Sequence, residues 1–380
     1  MAMSDIVVIG GGIVGVSIAH ELAKRGENVT LFEKRYIGSG STFRCATGIR
    51  QQFGDDANIQ VMKRSVELWK KYSEEYGFPF DQTGYLFLLY SEEEVEDFKK
   101  NIDLQNKFGI PTRLITPEEA KEIAPLINID EVIAASWNPT DGKADPFFAV
   151  TVFARKAKEY GAKIYEYTEV KDIVVEKGKI KGVKTNRGFF KADIVVNAAN
   201  AWAPLINIMA GIPIDIPIKP YKHQSIITQP IKRGSIKPMV ISLRHHDAYI
   251  TQTHHGGVIG GIGLEYGPTY DLTPTYEYLR EVTKTLPQIV PALKNLRILR
   301  MWAGYYAKTP DSNPAIGRIE EIDQFYIAAG FSGHGFMMGP AVGEMIAELI
   351  TKGRTHLPIW WYDPYRFERG ELREKAIQMG

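Results

Sequence analysis

Cysteine is almost absent from the sequence: Cys45 is the only one in 380 residues. A single thiol cannot form an internal disulfide, a cysteine-rich zinc site or a cysteine-ligated iron–sulfur cluster. The chain must therefore hold its fold without disulfides, which is compatible with a reducing compartment.

An excess of charge of one sign is also lacking. The 46 Lys and Arg nearly balance the 45 Asp and Glu, for a formal net charge of +1, which argues against nucleic acid or a polyanionic surface as the main partner. No apolar run approaches the roughly 20 residues of a membrane-spanning helix, and the N-terminus lacks the charged region of a signal peptide. We therefore expect a cytoplasmic protein, peripheral to a membrane only through its partners.

The length and composition predict two domains. The chain is longer than an ordinary single domain, and hydrophobic residues make up 44% of it, enough for a sizeable core. Segments typical of a nucleotide-binding domain occur at the start, in the middle and near the end, with β-rich stretches between them. Each domain is therefore expected to be discontinuous in sequence.

The segment IVVIGGGIVGVSIAHELAKRGENVTLFEK, residues 6–34, predicts a strand, a glycine-rich turn, a helix and a second strand. In the pattern G-x-G-x-x-G, Gly10 permits the tight turn, Gly12 lets the backbone approach a pyrophosphate, and Gly15 lets the helix pack on the strand. The helix N-terminus offers N–H groups to phosphates, and Glu33 can accept hydrogen bonds from a ribose diol. The motif indicates a dinucleotide site, and by itself leaves open FAD or NAD.

A second glycine cluster, AAGFSGHGFMMGPAVGEMIAELI, occupies residues 328–350. Gly330, Gly333 and Gly335 let the backbone approach a ligand where a long helix begins. Two glycine-rich helix starts at opposite ends of the chain suit a long ligand. The alternative is a helix start with packing glycines only.

With these motifs in view, the sequence resembles the D-amino-acid oxidase/sarcosine oxidase superfamily of FAD-dependent oxidoreductases. The resemblance rests on the two glycine clusters and on GSGSTFRCATGIR, DIVVNAANAWA and AGYYAKTPDSNPAIG. Within the superfamily the chain is most similar to the β subunits of archaeal dye-linked L-proline dehydrogenases, through RQQFGDDANIQVMKRSVELWKKYSEEYG and YDPYRFERGEL.

The resemblance implies an α/β fold of the glutathione reductase type, with a Rossmann-like FAD-binding domain and a β-rich α+β substrate domain. We expect the FAD-binding domain to comprise residues 1–84, 146–218 and 297–380. The substrate-binding domain is expected to comprise residues 85–145 and 219–296.

The resemblance also implies the reaction, in which a secondary amino acid, L-proline, gives up a hydride from its α-carbon to flavin N5 and becomes 1-pyrroline-5-carboxylate. The electrons then pass to a partner or an artificial acceptor rather than to oxygen. The residues expected to bind FAD are Gly10, Gly12, Ile13, Val14, Gly15, Glu33, Lys34, Ser41, Thr42, Arg44, Val170, Ala199, Gly330, Gly333, His334, Gly335, Phe336 and Met337.

Four residues are expected to act on the substrate. Arg50, in GIRQQFG, matches the family segment whose arginine holds the substrate carboxylate, and a guanidinium suits a bidentate grip. Tyr249 and Glu265 match positions near the substrate cavity, and His223 is expected to reach the flavin. A structural role for each of the last three remains open, and no metal site is expected.

Three departures from the family pattern refine these expectations. Gly304 stands where monomeric sarcosine oxidases attach FAD to cysteine, so FAD should be non-covalent. The segment in which monomeric sarcosine oxidases carry a lysine that promotes reaction with oxygen reads HHGGVIGGIG here, with Gly260 and Gly261 and no lysine, which favours a dehydrogenase. Met337 replaces a second carboxylate-binding lysine.

The expected partner is a second flavoprotein subunit in a hetero-oligomer. GKADPFFAV, residues 142–150, has no histidine where heterotetrameric sarcosine oxidase attaches FMN. Any FMN is therefore expected to bind non-covalently, at the subunit interface.

Three other functions remain open. The chain could be a dehydrogenase or oxidase of sarcosine, glycine or another small amino acid. It could be a non-catalytic flavin subunit that relays electrons, which would need no buried carboxylate clamp. It could also be an NAD-dependent dehydrogenase, an alternative that fails if the purified protein is yellow.

Overall fold

Two large β-sheets organise the chain in the computed structural model, which describes residues 5–373. The strands are β1 (Asp5–Ile9), β2 (Asn28–Phe32), β3 (Gly48–Ile49), β4 (Phe80–Asp81), β5 (Tyr85–Leu89), β6 (Arg113–Ile115), β7 (Ala134–Asn138), β8 (Gly142–Ala144), β9 (Lys163–Tyr165), β10 (Val170–Glu176), β11 (Lys179–Thr185), β12 (Gly188–Lys191), β13 (Ile194–Asn197), β14 (Lys219–Thr228), β15 (Met239–Ser242), β16 (Ala248–Gln252), β17 (Val258–Gly261), β18 (Ile298–Lys308), β19 (Ala315–Ile319) and β20 (Phe325–Ala329). The α-helices are α1 (Ile13–Lys24), α2 (Asp56–Tyr76), α3 (Glu92–Lys107), α4 (Pro117–Ile123), α5 (Pro146–Glu159), α6 (Ala203–Ala210), α7 (Tyr276–Ile289) and α8 (Gly335–Lys352).

The first large sheet has the strand order β19-β20-β13-β1-β2-β9 and is parallel except for β19. β1 lies at its centre between β13 and β2, and its apolar residues are buried on both faces. This is the environment that a short Val/Ile run predicts. The predicted strand–helix–strand unit is confirmed at β1, α1 and β2.

Helices α1 and α8 pack closely against each other beside this sheet. A Cβ atom at Gly343 would lie 2.7 Å from the backbone of Ser17, and one at Gly339 would lie 2.7 Å from the Ile13 side chain. Glycine at both positions therefore allows the two helices to approach, which explains part of the second glycine cluster as packing.

The second large sheet has the order β18-β14-β17-β16-β15-β5-β7-β6. Its apolar face forms a core with α4 and α7, and Tyr278 of α7 is completely buried there. Together the two sheets give the predicted α/β cofactor domain and β-rich second domain. The division by residue range stays a prediction, and β18 belongs to the second sheet although it falls within the predicted 297–380 segment.

A buried ion pair holds the segment after α8 against the loop before β19. Arg366 Nε lies 2.8 Å from Asp311 Oδ2, Arg366 Nη2 lies 3.0 Å from Asp311 Oδ1, and neither side chain is exposed. The remaining guanidinium N–H groups donate to the carbonyls of Asn313, Tyr362 and Asp363. The pair is therefore bidentate and fully hydrogen-bonded.

Replacing Arg366 with methionine is expected to destabilise the protein by about 3–5 kcal/mol, because it leaves the Asp311 carboxylate buried without its partner. Thermal and urea unfolding measure the loss. The matched control is Arg369→Met, because Arg369 pairs with Asp363 and Glu371 in an exposed position. We expect little change in the control, since exposed ion pairs contribute little. Equal losses in both variants would contradict the role assigned to the buried pair.

Candidate cofactor cleft and substrate cavity

A long cleft follows the carboxyl ends of β1 and β2, where ligands bind in open α/β sheets. Its walls are residues 9–14, 32–35, 39–42, 168–170 and 198–200, with further residues from α6, β18 and the start of α8. The two glycine clusters therefore meet at one cleft, although they lie at opposite ends of the sequence.

The turn between β1 and α1 requires glycine. Gly10 has φ = +112°, and a Cβ there would lie 2.6 Å from Ala198 O. A Cβ at Gly15 would lie 1.9 Å from Gly10 O. The first N–H groups of α1 have no partner within the helix, and that of Ile13 donates to Thr42 Oγ1 at 3.1 Å. This backbone cradle fits a pyrophosphate at a helix N-terminus.

Glu33 lies at the end of β2 and is largely buried. Its carboxylate accepts hydrogen bonds from Gly11 N at 2.8 Å, Arg35 N at 2.8 Å and Ser39 Oγ at 3.4 Å. A carboxylate offers about four acceptor positions. Glu33 can therefore hold the glycine turn and still accept a ribose hydroxyl, so the cleft fits a dinucleotide.

Most of the residues predicted to bind the cofactor line this cleft. They are Gly10, Gly12, Ile13, Val14, Glu33, Lys34, Ser41, Thr42, Arg44, Val170, Ala199, Gly333, Gly335 and Phe336. Gly15, Gly330 and His334 are not among its lining residues, and Met337 lines the adjoining cavity instead. Gly304 also lines the cleft.

A second cavity, of about 340 Å³, adjoins the cleft and shares with it Arg44, Cys45, His223, Tyr306 and other residues of its wall. The four residues predicted to act on a substrate all line it: Arg50, His223, Tyr249 and Glu265. Glu265 is exposed, whereas Arg50 is 2% exposed. The structure therefore brings the four together, with Glu265 nearest to solvent.

Arg50 follows β3 and is fixed on several sides. Its Nη1 donates to Gln52 O, its Nη2 lies 3.3 Å from His334 Nε2, and its Cζ lies 4.0 Å from the centre of the Phe53 ring. Burial lowers the pKa of the guanidinium, yet arginine stays charged in proteins. Arg50 is thus a buried, fixed cation at the wall of this cavity.

Two aromatic rings, those of His223 and Tyr306, line both this cavity and the cleft. The His223 ring stacks on that of Tyr306, with centroids 4.2 Å apart and planes 5° apart. Burial lowers the pKa of His223 to about 4, and Lys308 adds to the effect, so its ring is neutral near pH 7. Its Nε2 is buried and has no hydrogen-bond partner among residues 5–373. This atom can therefore donate a hydrogen bond to a ligand or accept one from it, depending on the tautomer.

Tyr249 lies next to His223 on the same wall. Its hydroxyl is 2.5 Å from Ser225 Oγ, and burial raises the pKa of this hydroxyl. A Cβ at Gly261 would lie 2.2 Å from the Tyr249 ring, and one at Gly260 would lie 2.3 Å from Leu286 Cδ1. The two glycines therefore make room for Tyr249 and for α7.

Tyr306 and Lys308 of β18 also line the second cavity, and sequence reasoning missed them. Side chains two positions apart on a strand point to the same face. The family resemblance matches Gly304 to a position that contacts the flavin. Residues 306 and 308 share the face of β18 on which Gly304 lies, so this match was the available signal for them.

A third cavity, of about 880 Å³, shares Arg44 and Cys45 with the other two. Its charged lining residues are Arg44, Lys143 and Arg300 together with Asp81 and Asp145, and His254 and His255 also line it. Its remaining wall includes the aromatic side chains at positions 147 and 148, which are 55% and 54% exposed. Burial lowers the pKa of the Lys143 ammonium to about 8.

Known proteins share this architecture along nearly the whole chain. A family model described as DAO, FAD dependent oxidoreductase, matches residues 5–349. The chain is 29% identical to sarcosine oxidase subunit beta of Arthrobacter sp. over 377 residues. The aligned region covers 97% of this chain and 92% of the relative. No helix within residues 5–373 has both the length and the apolar character needed to cross a membrane.

Solved structures agree with this match. L-proline dehydrogenase from P. horikoshii superimposes with a TM-score of 0.97 and 77% identity, over 98% of this chain and 99% of that one. Glycine oxidase from Bacillus cereus ATCC 14579 superimposes with a TM-score of 0.84 and 26% identity, over 94% of this chain and 97% of that one.

Proposed function

Because the chain belongs to the DAO family of FAD-dependent oxidoreductases, we propose that it oxidises L-proline to 1-pyrroline-5-carboxylate and delivers the electrons to an acceptor other than oxygen. The observation that carries the proposal is the buried cation Arg50 in a cavity that opens onto the cofactor cleft. The 77% identity to L-proline dehydrogenase from P. horikoshii favours proline among small amino acids.

The cleft residues hold FAD, which supplies the two-electron oxidant when it is bound. The backbone between Gly10 and Val14 binds the pyrophosphate, and Glu33 binds the adenosine ribose. Residues 333–337 surround the start of α8, whose N–H groups favour negative charge. The cleft offers no cysteine at position 304, so this attachment point of a covalent flavin is missing.

The second cavity holds the amino acid. Arg50 binds the carboxylate through charge-assisted hydrogen bonds, which are stronger in a water-poor cavity. Tyr85, Phe87 and Ile241 supply aromatic and apolar surface for the proline ring. The neutral ring of His223 can accept a hydrogen bond from the substrate amine through an unprotonated ring nitrogen.

Two alternatives are separated by experiment. Sarcosine and glycine carry the same carboxylate, and the sarcosine oxidase and glycine oxidase relatives favour them. A flavin relay subunit would bind FAD without needing Arg50. The hydrophobic surface of the cavity discriminates a ring from a methyl group by only about 1–3 kcal/mol, so the substrates must be compared directly.

The similarity to sarcosine oxidase subunit beta indicates a multi-subunit enzyme. The partner is proposed to be a second flavoprotein subunit that covers the third cavity. The lining of this cavity has Arg44, Lys143 and Arg300 against Asp81 and Asp145, which leaves one excess positive charge for the phosphate of a non-covalent FMN. Residues 143–148 of that lining fall in the segment matched to the FMN site. Acid extraction of the purified complex should release FAD and FMN together. FAD alone would remove the second flavin from the proposal.

Steady-state turnover tests the substrate and the acceptor together. The FAD-loaded protein is assayed with L-proline, D-proline, sarcosine and glycine, first with an artificial dye and then with oxygen. We expect the highest kcat/KM for L-proline with the dye and little oxygen uptake. The oxygen assay is essential because Lys308 lines the substrate cavity, and a lysine near the flavin promotes reaction with oxygen in monomeric sarcosine oxidases. Rapid oxygen uptake would identify an oxidase instead.

A further inference from the structure

Asp141 is a completely buried carboxylate that holds the segment carrying Arg50. It lies in the turn between β7 and β8. Its Oδ1 accepts hydrogen bonds from Gln51 N at 2.7 Å and Asn138 Nδ2 at 2.8 Å, and its Oδ2 accepts one from Gln52 Nε2 at 3.0 Å. All of these donors are neutral amides, so none of them balances the carboxylate charge.

The network leads directly to the guanidinium of Arg50. Gln52, held by Asp141, presents the carbonyl oxygen that accepts from Arg50 Nη1. The other end of the Gln52 amide is fixed by Ser136 Oγ, which donates to Gln52 Oε1 at 2.7 Å. Asp141 therefore fixes the residue that orients Arg50, although about ninety residues separate the two in sequence.

We propose that Asp141 is the positioning residue of Arg50 and its counter-charge in the empty cavity, and that a substrate carboxylate displaces this charge so that Asp141 takes up a proton when the carboxylate binds. The inference rests on the proposed function, in which Arg50 binds a carboxylate. In the empty cavity, Arg50 and an ionised Asp141 are a neutral pair. A substrate carboxylate beside Arg50 brings a second negative charge near Asp141, and a nearby like charge disfavours the ionised form of a carboxyl group, so Asp141 is expected to take up a proton.

The surroundings of Asp141 make this proton uptake accessible near neutral pH. Burial raises its pKa to about 7, and the hydrogen bonds and the charge of Arg50 oppose the rise. The titratable and charged groups on the elements packed around it are Arg50 after β3, Asp81 on β4, Tyr85 on β5, Lys143 on β8 and His334 before α8. Lys143 donates to the carbonyls of Lys237 and Gln252, and burial raises the pKa of Tyr85, which keeps it neutral.

The direction of the pH effect follows from linkage. Below the pKa of Asp141 in the free protein the group is already protonated, so affinity for a carboxylate does not change with pH. Above it, binding requires proton uptake, and Kd rises by up to about tenfold per pH unit until the pKa of the complex is reached. Affinity is therefore lost as the pH rises above about 7, the pKa of Asp141 in the free protein.

The probe is tetrahydrofuran-2-carboxylate, which has the ring and carboxylate of proline but no amine that titrates. Its Kd is measured on the FAD-loaded protein by flavin difference spectra between about pH 5.5 and about pH 8.5. Calorimetry in buffers of different ionisation enthalpy counts the protons taken up. We expect Kd to rise about tenfold or more over this range, with net proton uptake in its upper half, above the free-protein pKa of about 7.

Asp141→Asn keeps the size of the side chain and removes its charge. We expect Kd to become nearly independent of pH and proton uptake to vanish, with KM for proline changed more than kcat. Asp103→Asn, on the exposed face of α3, is the matched control and should keep the wild-type slope. Asn138→Ala keeps the Asp141 charge but removes one hydrogen-bond donor to its carboxylate. We expect this change to raise the pKa of Asp141, so that Kd begins to rise at a higher pH than in the wild-type protein.

The Asn138 variant decides the question if Asp141→Asn does not fold. An unchanged slope in Asp141→Asn, an unchanged midpoint in Asn138→Ala, or a wild-type Kd that does not vary with pH would overturn the inference. If proline reduces the flavin while Kd stays flat, only this inference fails. If the wild-type protein binds no carboxylate and proline does not reduce its flavin, the proposed function fails as well.

Discussion

Replacing Arg50 with alanine is expected to lower kcat/KM for L-proline by about 10²–10³-fold, because a buried charge-assisted pair is worth roughly 2–5 kcal/mol. The guanidinium lies between Gln52 O, His334 Nε2 and the Phe53 ring, and neither water nor alanine can replace this arrangement. Steady-state kinetics with an artificial dye measures the loss. Flavin content and thermal unfolding are measured in parallel, since a buried arginine also contributes to packing.

Two further variants separate charge from geometry. Arg50→Lys keeps the positive charge without the planar pair of donors, so it should recover only part of the activity. Arg113→Ala, at an exposed position of β6, should keep wild-type kinetics. Full activity of an Arg50→Ala protein that still binds FAD would favour the relay subunit over the catalytic one.

Replacing Gly12 with valine is expected to give a folded protein with about 5- to 150-fold weaker FAD binding, because overpacking a tight site typically costs about 1–3 kcal/mol. The backbone at Gly12 is extended, with φ = −75°, so a side chain causes no backbone strain there. A Cβ would lie 3.2 Å from Thr42 Oγ1, and the valine methyl groups would enter the space between the turn and Thr42. Flavin absorbance per mole of protein reports the loss, and circular dichroism reports the fold.

The matched control for this variant is Gly267→Val. A Cβ at Gly267 meets no atom within 4 Å, so valine there should leave the flavin content unchanged. A Gly12→Val protein that is purified with a full complement of FAD would show that the glycine turn does not contact the pyrophosphate.

The cofactor cleft could be predicted from sequence because its signals are local. The Val/Ile run, the three spaced glycines and the helical period of α1 lie within one short segment, and the structure confirms that unit at β1, α1 and β2. Glu33 was found by its distance from the turn alone, and its carboxylate indeed bonds to Gly11 N. Such local patterns need no knowledge of the rest of the chain.

The substrate cavity was only partly predictable because it is assembled from distant segments. Arg50 came from the family resemblance, but its neighbours Asp141 and His334 approach through the pairing of β3 with β8 and through the start of α8. Lys308 lies at the end of β18, which the predicted boundaries assign to the cofactor domain while its pairing with β14 belongs to the second sheet. No sequence periodicity reports contacts of this kind.

The central claim, that this chain itself oxidises a small amino acid through Arg50, is tested most directly by an anaerobic titration. The purified FAD-loaded protein is mixed with L-proline, sarcosine or glycine, and the visible flavin absorbance is followed without any acceptor. We predict that L-proline bleaches the flavin at a lower concentration than sarcosine or glycine does. The Arg50→Ala variant should need a far higher concentration of L-proline for the same bleaching. A flavin that none of the three amino acids bleaches, in the presence of the partner subunit, would contradict the account.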